Sequence, residues 1–524
     1  MSMKINIRYI GLFLIIILLF NSNNLSAQED DLNLSLLKKY AENSYRDKDY
    51  EFSLDNYLKL YINDKTNITY NLRIGVCYTE SNVDKTAGIP YLEFVVSHNN
   101  FPRLAYYYLG RAYMYAYRFT EAVEALYNYK QTGVNDDVIH KCDRLIEMCY
   151  YSLEILNNPK NVTFERLDST VNSEFDDYSP YVTEDGKYLV YSSNRRYVKE
   201  LESNISDIYL SKAKKKSWNQ SIELPINTFD NEDVVGLSAD GSKLMMHVDG
   251  DYASNDIQYA YKKGSKYIKD ENVLPFNTDG VERGACITSS GDTIYFSSDR
   301  DGGYGGLDIY YVTKNSVGQW SEPKNIGSNI NTKYDDNFPN VTSDGKKLYF
   351  SSKGHESLGD YDLFYSVFNE STKEWSNPFN LGYPINTPFD NTTISYTKDG
   401  KVGYIAANRK EGLGNLDIYR ITEGDESQLT AFLLAYIFVG TESSSVPYSS
   451  DYLKVFVTLY DQYGNIYGRY NVDEGLTYMS LYPGKYKLEV RFDGAKEGFE
   501  EEITITANDA NKEIEKQIYL KPAE

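Results

Sequence analysis

The chain has 524 residues, of which 41 % are hydrophobic and 25 % charged. That composition belongs to a folded globular protein, and the length exceeds what one core organises, so two to four domains are expected. A formal net charge of -22 excludes binding to nucleic acid or an anionic membrane surface through bulk electrostatics.

Lys4 and Arg8 precede an apolar run from Tyr9 to Phe20, and Leu25-Ser26-Ala27 stands just before Gln28. This is the pattern of a secretory signal, residues 1–27, cleaved after Ala27 to leave a mature chain of charge -24. A run of 12 apolar residues is short of the roughly 20 that span a bilayer. The later run from Leu429 to Val439 is also too short and reads as a buried strand. No membrane span is expected after cleavage, and no cysteine follows the apolar run where a lipid could be attached. The four cysteines, Cys77, Cys142, Cys149 and Cys286, are too few for a disulfide framework and are expected as buried thiols.

Residues 28–158 carry apolar positions at helical spacing. Ala41, Gly75 and Gly110 lie 34 and 35 residues apart, and Ser53, Ala87 and Ala122 each follow twelve positions later. A helical hairpin repeat is implied, with small residues where paired helices approach closely. Tyr106, Leu109-Gly110, Tyr113, Ala122 and Leu126 have the spacing of the tetratricopeptide pattern, and Asp136 to Leu156 reads as a terminal solvating helix.

Residues 159–424 repeat a different unit. Asp185-Gly186, Asp240-Gly241, Ser290-Gly291, Asp344-Gly345 and Asp399-Gly400 mark tight hairpins at intervals of 55, 50, 54 and 55. Each is followed by a strand such as "KKLYFSS", a polar loop, and a second strand opening on Asp207, Asp256, Asp308, Asp362 or Asp417. Trp218, Trp320 and Trp375 open three of the linking segments. Each unit therefore has four strand-sized pieces, the content of one propeller blade. The fifth lacks its last strand, and the segment 162–180 matches the linkers but precedes the first unit. Donated to the fifth, it would close a five-bladed ring and hide both sheet edges.

One copy, "SSDRDGGYGGLDIYY", invites other readings. An EF-type loop from Asp299 needs Gly and Glu where Tyr304 and Tyr310 stand, and a G-x-G-x-x-G cradle from Gly303 needs glycine in place of Asp308. The glycines are expected to let the loop turn and the tyrosines to face neighbouring blades. Arg195, Arg300, Lys353 and Arg409 follow the second strand of four units, which predicts intrablade pairs with Asp207, Asp308, Asp362 and Asp417. The second unit offers no base there and is expected to lack the brace. The alternative for these carboxylates is a calcium-holding ring. Residues 427–524 read as short alternating strands of a small β-sandwich, among them "YKLEVRFDG" and "EEEITIT".

Three resemblances follow. The helical pattern resembles the tetratricopeptide family, which implies a groove lined by Lys38, Glu42, Tyr45, Thr79, Tyr107, Arg111, Met114 and Tyr115. "SPYVTEDGKYLVYSSNR" and "FPNVTSDGKKLYFSSKG" resemble the TolB-type WD40-like propeller repeat, a docking platform in the bacterial periplasm that also occurs on peptidases. "LYPGKYKLEVRFDG" resembles the carboxypeptidase regulatory-like, transthyretin-like sandwich, a non-catalytic module. The order of the parts resembles the PorE-like proteins of type IX secretion and gliding machinery. Neither a lipid-modified cysteine nor an OmpA-like domain is present, so peptidoglycan binding is not expected.

Catalytic constellations are not legible. "GLSADG" around Ser238 misplaces the glycine of a nucleophile elbow, His355-Glu356 does not continue to a zinc motif, and His98, His140 and His247 are scattered. No catalytic residue, metal or cofactor is assigned. The expectation is a multidomain α + β protein, a helical solenoid followed by a five-bladed β-propeller and a β-sandwich. It would act as a non-catalytic periplasmic scaffold, peripheral to the outer membrane, whose partners are envelope or secretion-system proteins. The alternative is a glycan-binding or sialidase-like propeller, since paired carboxylates are invisible in one dimension.

Overall fold

Small residues set the spacing of the helical part. A Cβ on Gly75 would lie 2.4 Å from Leu92 Cγ and one on Gly110 2.7 Å from Leu126 Cγ, so only glycine admits these contacts. In the first hairpin the Ser53 hydroxyl donates to the Ala41 carbonyl at 3.0 Å. The computed structural model describes residues 23–521 except 216, 250–255, 265, 271–273, 425–429, 441–445, 449–454 and 493–497. Most of the expected signal segment lies outside them. Seven helices come first: α1 Asn23–Arg46, α2 Tyr50–Asn63, α3 Ile68–Glu80, α4 Ile89–Val96, α5 Leu104–Tyr115, α6 Phe119–Lys130 and α7 Asp136–Leu156. Asp49 and Asn67 cap α2 and α3 by accepting from the N–H groups of Phe52 and of Thr69 and Tyr70. The four cysteines are buried and free.

The chain divides into two compact units, residues 1–146 and 147–524. The second holds both the repeated sheets and the C-terminal strands, which the repeat pattern alone would place in separate domains.

Five antiparallel sheets succeed one another in propeller-like fashion. Their first three strands are 177–182, 188–198 and 203–214; 231–237, 243–249 and 257–263; 282–287, 293–298 and 308–313; 336–341, 347–352 and 362–369; and 394–396, 402–407 and 417–423. Short fourth strands complete the first four. The hairpins between first and second strands turn on Gly186, Gly241, Gly291, Gly345 and Gly400, whose φ values of 67 to 75° lie in the left-handed region. This hairpin end is opposite the loops that join second to third strands. Toward the loop end a serine of the second strand pairs with two acids. Ser193 stands between Asp177 and Asp207, Ser298 between Glu282 and Asp308, and Ser352 between Asp336 and Asp362.

The fifth sheet takes its fourth strand from upstream: residues 162–166 pair with 423–419. A recurrent asparagine fixes each linker. Asn227, Asn331 and Asn386 each accept from and donate to the backbone of one residue in the preceding third strand, Ile208, Ile309 and Leu363, at 2.8 to 3.1 Å. Asn277 donates to the Ile257 carbonyl at 2.9 Å. Asn172 makes the same pair of bonds to Ile418 of the fifth sheet, at 2.8 and 3.0 Å, across 246 residues of sequence.

The C-terminal strands form two four-stranded sheets around Leu433, Leu459, Leu488 and Ile518. The apolar run expected as a buried strand is the strand Ala431–Val439, and its burial alternates. Ala431, Leu433, Ala435 and Ile437 point inward, while Phe432 and Phe438 stack outside on Tyr478 and Tyr519. Arg409 ties this part to the fifth sheet, donating to Asp461 at 2.8 Å while lying 4.2 Å over the Phe164 ring of the donated strand. Asn465 adds bonds to Lys410 N–H and Glu411.

Replacing Asn172 by alanine leaves the buried Ile418 N–H and carbonyl without these partners, and is expected to cost about 1–3 kcal/mol in denaturant unfolding. Gly414→Ala should act at the same seam, since its Cβ would sit 2.2 Å from the Phe175 carbonyl oxygen. Wild-type stability in both variants would contradict the role given to this seam.

Candidate functional site

In the helical unit, ion pairs link successive first helices of the hairpins. Arg73 of α3 donates to Glu42 of α1 at 3.1 Å, and Arg111 of α5 donates to Glu80 of α3 at 2.5 Å; both pairs span 31 residues. Tyrosines flank them. The Arg73 guanidinium lies 3.8 Å over the Tyr45 ring, Tyr57 donates to Glu42 at 2.6 Å, and Arg111 lies 5.9 Å over Tyr107. Burial, then the Glu42 carboxylate, pushes the Tyr57 hydroxyl well above the phenol range, and Tyr108 shifts likewise through burial and Glu80. The hydroxyls therefore stay neutral donors.

This face collects five of the eight expected groove residues. Lys38 is exposed, Glu42, Tyr45 and Tyr107 are half-buried, and Arg111 belongs to the pair above. Thr79 instead bonds the Gly75 carbonyl inside the hairpin at 2.8 Å, and Met114 and Tyr115 are buried in the packing. Arg73 and Glu80 were not anticipated. Their signal is a seven-residue spacing, two turns of one helix, which puts both on the stripe that meets Glu42 and Arg111.

In the repeated sheets the bases do not meet the aspartates expected. Arg195 pairs with Asp177, and it is Arg196 that holds Asp207. Arg300 donates to Glu282 at 3.0 Å, Lys353 to Asp335 at 3.0 Å, and Arg409 to Glu411 and Asp461. Asp308 accepts from Tyr304 and Gly305 N–H and from Asn325, Asp362 from Leu358 and Gly359 N–H, and Asp417 from Leu413 and Gly414 N–H. The reason is geometric. A carboxylate opening the third strand sits directly under the turning loop and binds its N–H groups. The arginine two residues beyond the second strand folds back over rings of the second and third strands, Arg300 over Phe296 and Tyr310, toward the first strand. These carboxylates are thus engaged by the backbone, and the described residues contain no group of three or more His, Cys, Asp or Glu that could hold a metal. The corresponding position in the second sheet falls at 250–255, outside the described residues; there Glu232 accepts from Thr228. Of the tyrosines in the repeated loop, Tyr310 is buried but Tyr304 is 54 % exposed.

The second sheet departs from the others where its first strand begins. Tyr178 and Ser206 of the first sheet both donate to Asp233 at 2.6 Å, and the cross-strand neighbour of Asp233 is His247, where the first, third and fourth sheets carry Ser192, Ser297 and Ser351 and the fifth carries Ala406. His247 is 2 % exposed and its Nε2 has no hydrogen-bond partner. Burial, then the Arg283 charge, holds this imidazole below its ordinary range. At the hairpin end Glu184 joins four sheets. Its N–H donates to Ala239 O, its carbonyl accepts from Lys398 N–H, and its carboxylate accepts from Ser343 N–H at 3.3 Å.

No protein-family profile and no curated protein matches the sequence. Similar solved structures include TolB from Acinetobacter baumannii, 16 % identical, covering 55 % of this chain and 69 % of that one with a TM-score of 0.32. Another is the Penicillium chrysogenum α-L-arabinanase complexed with arabinobiose, 10 % identical, covering 50 % and 98 % with a TM-score of 0.32. A third is BT0996 in an RGII complex, 8 % identical, covering 53 % and 95 % with a TM-score of 0.35.

Burial pushes the Asp336 carboxyl up to about 7, and the N–H of Thr332 bonds it. An acid raised in the folded state binds more protons there, so this group's contribution to stability falls as pH rises from its unfolded value near 4 to about 7. Asn391 fills the matching place in the fifth sheet, accepting from Thr387 N–H at 2.7 Å. Asp336→Asn should therefore gain on the wild type progressively across that window in thermal melts and run parallel to it above. A constant difference from pH 4 to 8 would refute this.

Proposed function

We propose that the chain is a non-catalytic scaffold of the bacterial envelope: a tetratricopeptide-like helical repeat, a five-bladed TolB-like propeller closed by its upstream strand, and a regulatory-like sandwich. The closed ring is supported by the recurrent asparagine, because Asn172 treats Ile418 as Asn331 treats Ile309. Docking is supported by one observation above all. The first helices of the hairpins present a pre-paired Glu42–Arg73 and Glu80–Arg111 row with half-buried tyrosines, rigid amphipathic groups of the kind that anchor protein interfaces. Location in the periplasm rests on the signal pattern at residues 1–27, and among the described residues no helix is long and apolar enough to cross a membrane. Association with type IX secretion or gliding rests on the PorE-like order of parts.

A second reading, glycan binding, is favoured by the Tyr178–Ser206–Asp233 cluster beside His247, a polar break in an otherwise regular repeat. Binding or turnover of a glycan panel, lost in Asp233→Asn, would support it.

The scaffold reading is tested by cross-linking in intact cells, with recovery of envelope proteins through the full chain. Tyr107→Ala combined with Arg111→Ala is expected to lower recovery about tenfold or more. Unchanged recovery, with the variant's melting curve intact, would remove the helical face as the docking site.

A further inference from the structure

The two ends of the repeated sheets are unlike. The hairpin end is tied together by Glu184, whose three bonds reach turns of the second, fourth and fifth sheets. Exposed apolar groups collect at the loop end, beside Ile222 and Phe379 on the short fourth strands. Tyr197 at the end of the first sheet's second strand, Leu201 in the loop after it, Phe229 in the linker to the second, Tyr304 in the third sheet's loop and Leu413 in the fifth's are 47 to 68 % exposed. Of the hairpin turns, only the one at Val317 shows a comparable apolar side chain among the described residues. An apolar side chain at a loop tip gains nothing for the fold, and five gathered at one end make a surface that burial by another molecule would stabilise.

The charge around these residues says what kind of molecule. Glu200, Glu202, Asp279, Asp299 and Asp301 are exposed in the same loops and linkers and Asp230 is half-buried there; Asp299 accepts the Val281 N–H at 2.8 Å, and no ion pair engages any of them among the described residues. Lys199, Arg283, Lys333 and Lys410 are the exposed cations in these loops and linkers. The carboxylates that the fold needs, such as Asp308 and Glu282, are buried beneath and already bonded. The exposed ones are an excess of negative charge set among apolar anchors, complementary to a segment rich in Lys and Arg that also carries large apolar side chains.

We propose that the loop end is the propeller's docking face, and that it takes a basic polypeptide segment with aromatic or aliphatic anchors from a partner protein. This rests on the scaffold reading and selects the face and the chemistry of the occupant.

A photoreactive amino acid placed singly at Phe229, Tyr304 and Leu413, with Val317 and Tyr107 as comparison sites, tests it in intact cells through mass-spectrometric mapping of the cross-linked peptide. The expected result is cross-links from the first three positions to one segment of net positive charge with large apolar residues. Phe229→Ala with Tyr304→Ala should lower the yield from Leu413 about tenfold or more, and added salt should lower it further. Both replaced side chains are exposed, so the variant's melting curve should match the wild type. Cross-links from the loop positions to an acidic or uncharged segment, to the chain's own N-terminal residues or to a second copy overturn the proposal, as do cross-links from Val317 alone. Cross-links from Tyr107 with none from the loop end overturn it while leaving the scaffold reading standing. Silence at all five positions overturns both.

Discussion

Two hydrogen bonds made by one asparagine side chain hold four of the linkers to the sheet before them, and at the remaining one Asn277 makes only the donated bond. An amide carries an acceptor and two donors, so it satisfies both the N–H and the carbonyl of a strand residue that has no strand beside it at that point. Without that clamp the N–H of the strand residue would be left unpaired, whereas its carbonyl also accepts a linker N–H, Ile326 on Ile309 and Leu167 on Ile418. Because the fifth instance, Asn172 on Ile418, comes from upstream of the first sheet, the same local device joins the two ends of the β region. The donated strand 162–166, the contact of Gly414 with Phe175 and the Arg409 bridge to Asp461 all follow from having the chain in that place.

Carboxylates carry the second constraint. Buried acids at the loop ends collect N–H groups from turning loops, and in the first and third sheets Asp177, Asp207 and Glu282 also meet a guanidinium. Burial opposes their ionisation, which is why Asp207 and Asp336 are both pushed up to about 7. The fifth sheet uses Asn391 for one of them, so the position asks for an acceptor of N–H rather than for a charge. The chain's large acid excess therefore divides into buried acids that organise loops and exposed acids that face solvent.

The helical unit solves a related problem with different residues. Glycine at Gly75 and Gly110 brings helices close enough for Leu92 and Leu126 to seat against the backbone. Arginine and glutamate then cross between the first helices, where a long side chain can reach 31 residues along the sequence to the neighbouring hairpin. Tyrosines cover the pairs and keep their hydroxyls protonated. The result is a surface whose polar groups are ordered before anything binds, which lowers the entropy lost on binding.

Much of this was legible in the sequence because it is local or periodic. The hairpin glycines at 50- to 55-residue intervals, the helical repeat near 34 residues and the surplus segment at 162–180 are patterns along the chain, and period alone locates them. The partners of Arg300, Lys353 and Asp308 were not legible. Which acid pairs with which base depends on the direction a loop folds over its strand, and neighbours in sequence are a poor guide to that. The Glu184 bonds to three other sheets, the isolation of His247 and the gathering of Tyr197, Phe229, Tyr304 and Leu413 at one end likewise join residues from different repeats. The amino-acid order by itself determined the repeating units and where one strand was surplus; only the tertiary structure decided which side chains share an end and a partner, because that is set by register and by the path of loops through space.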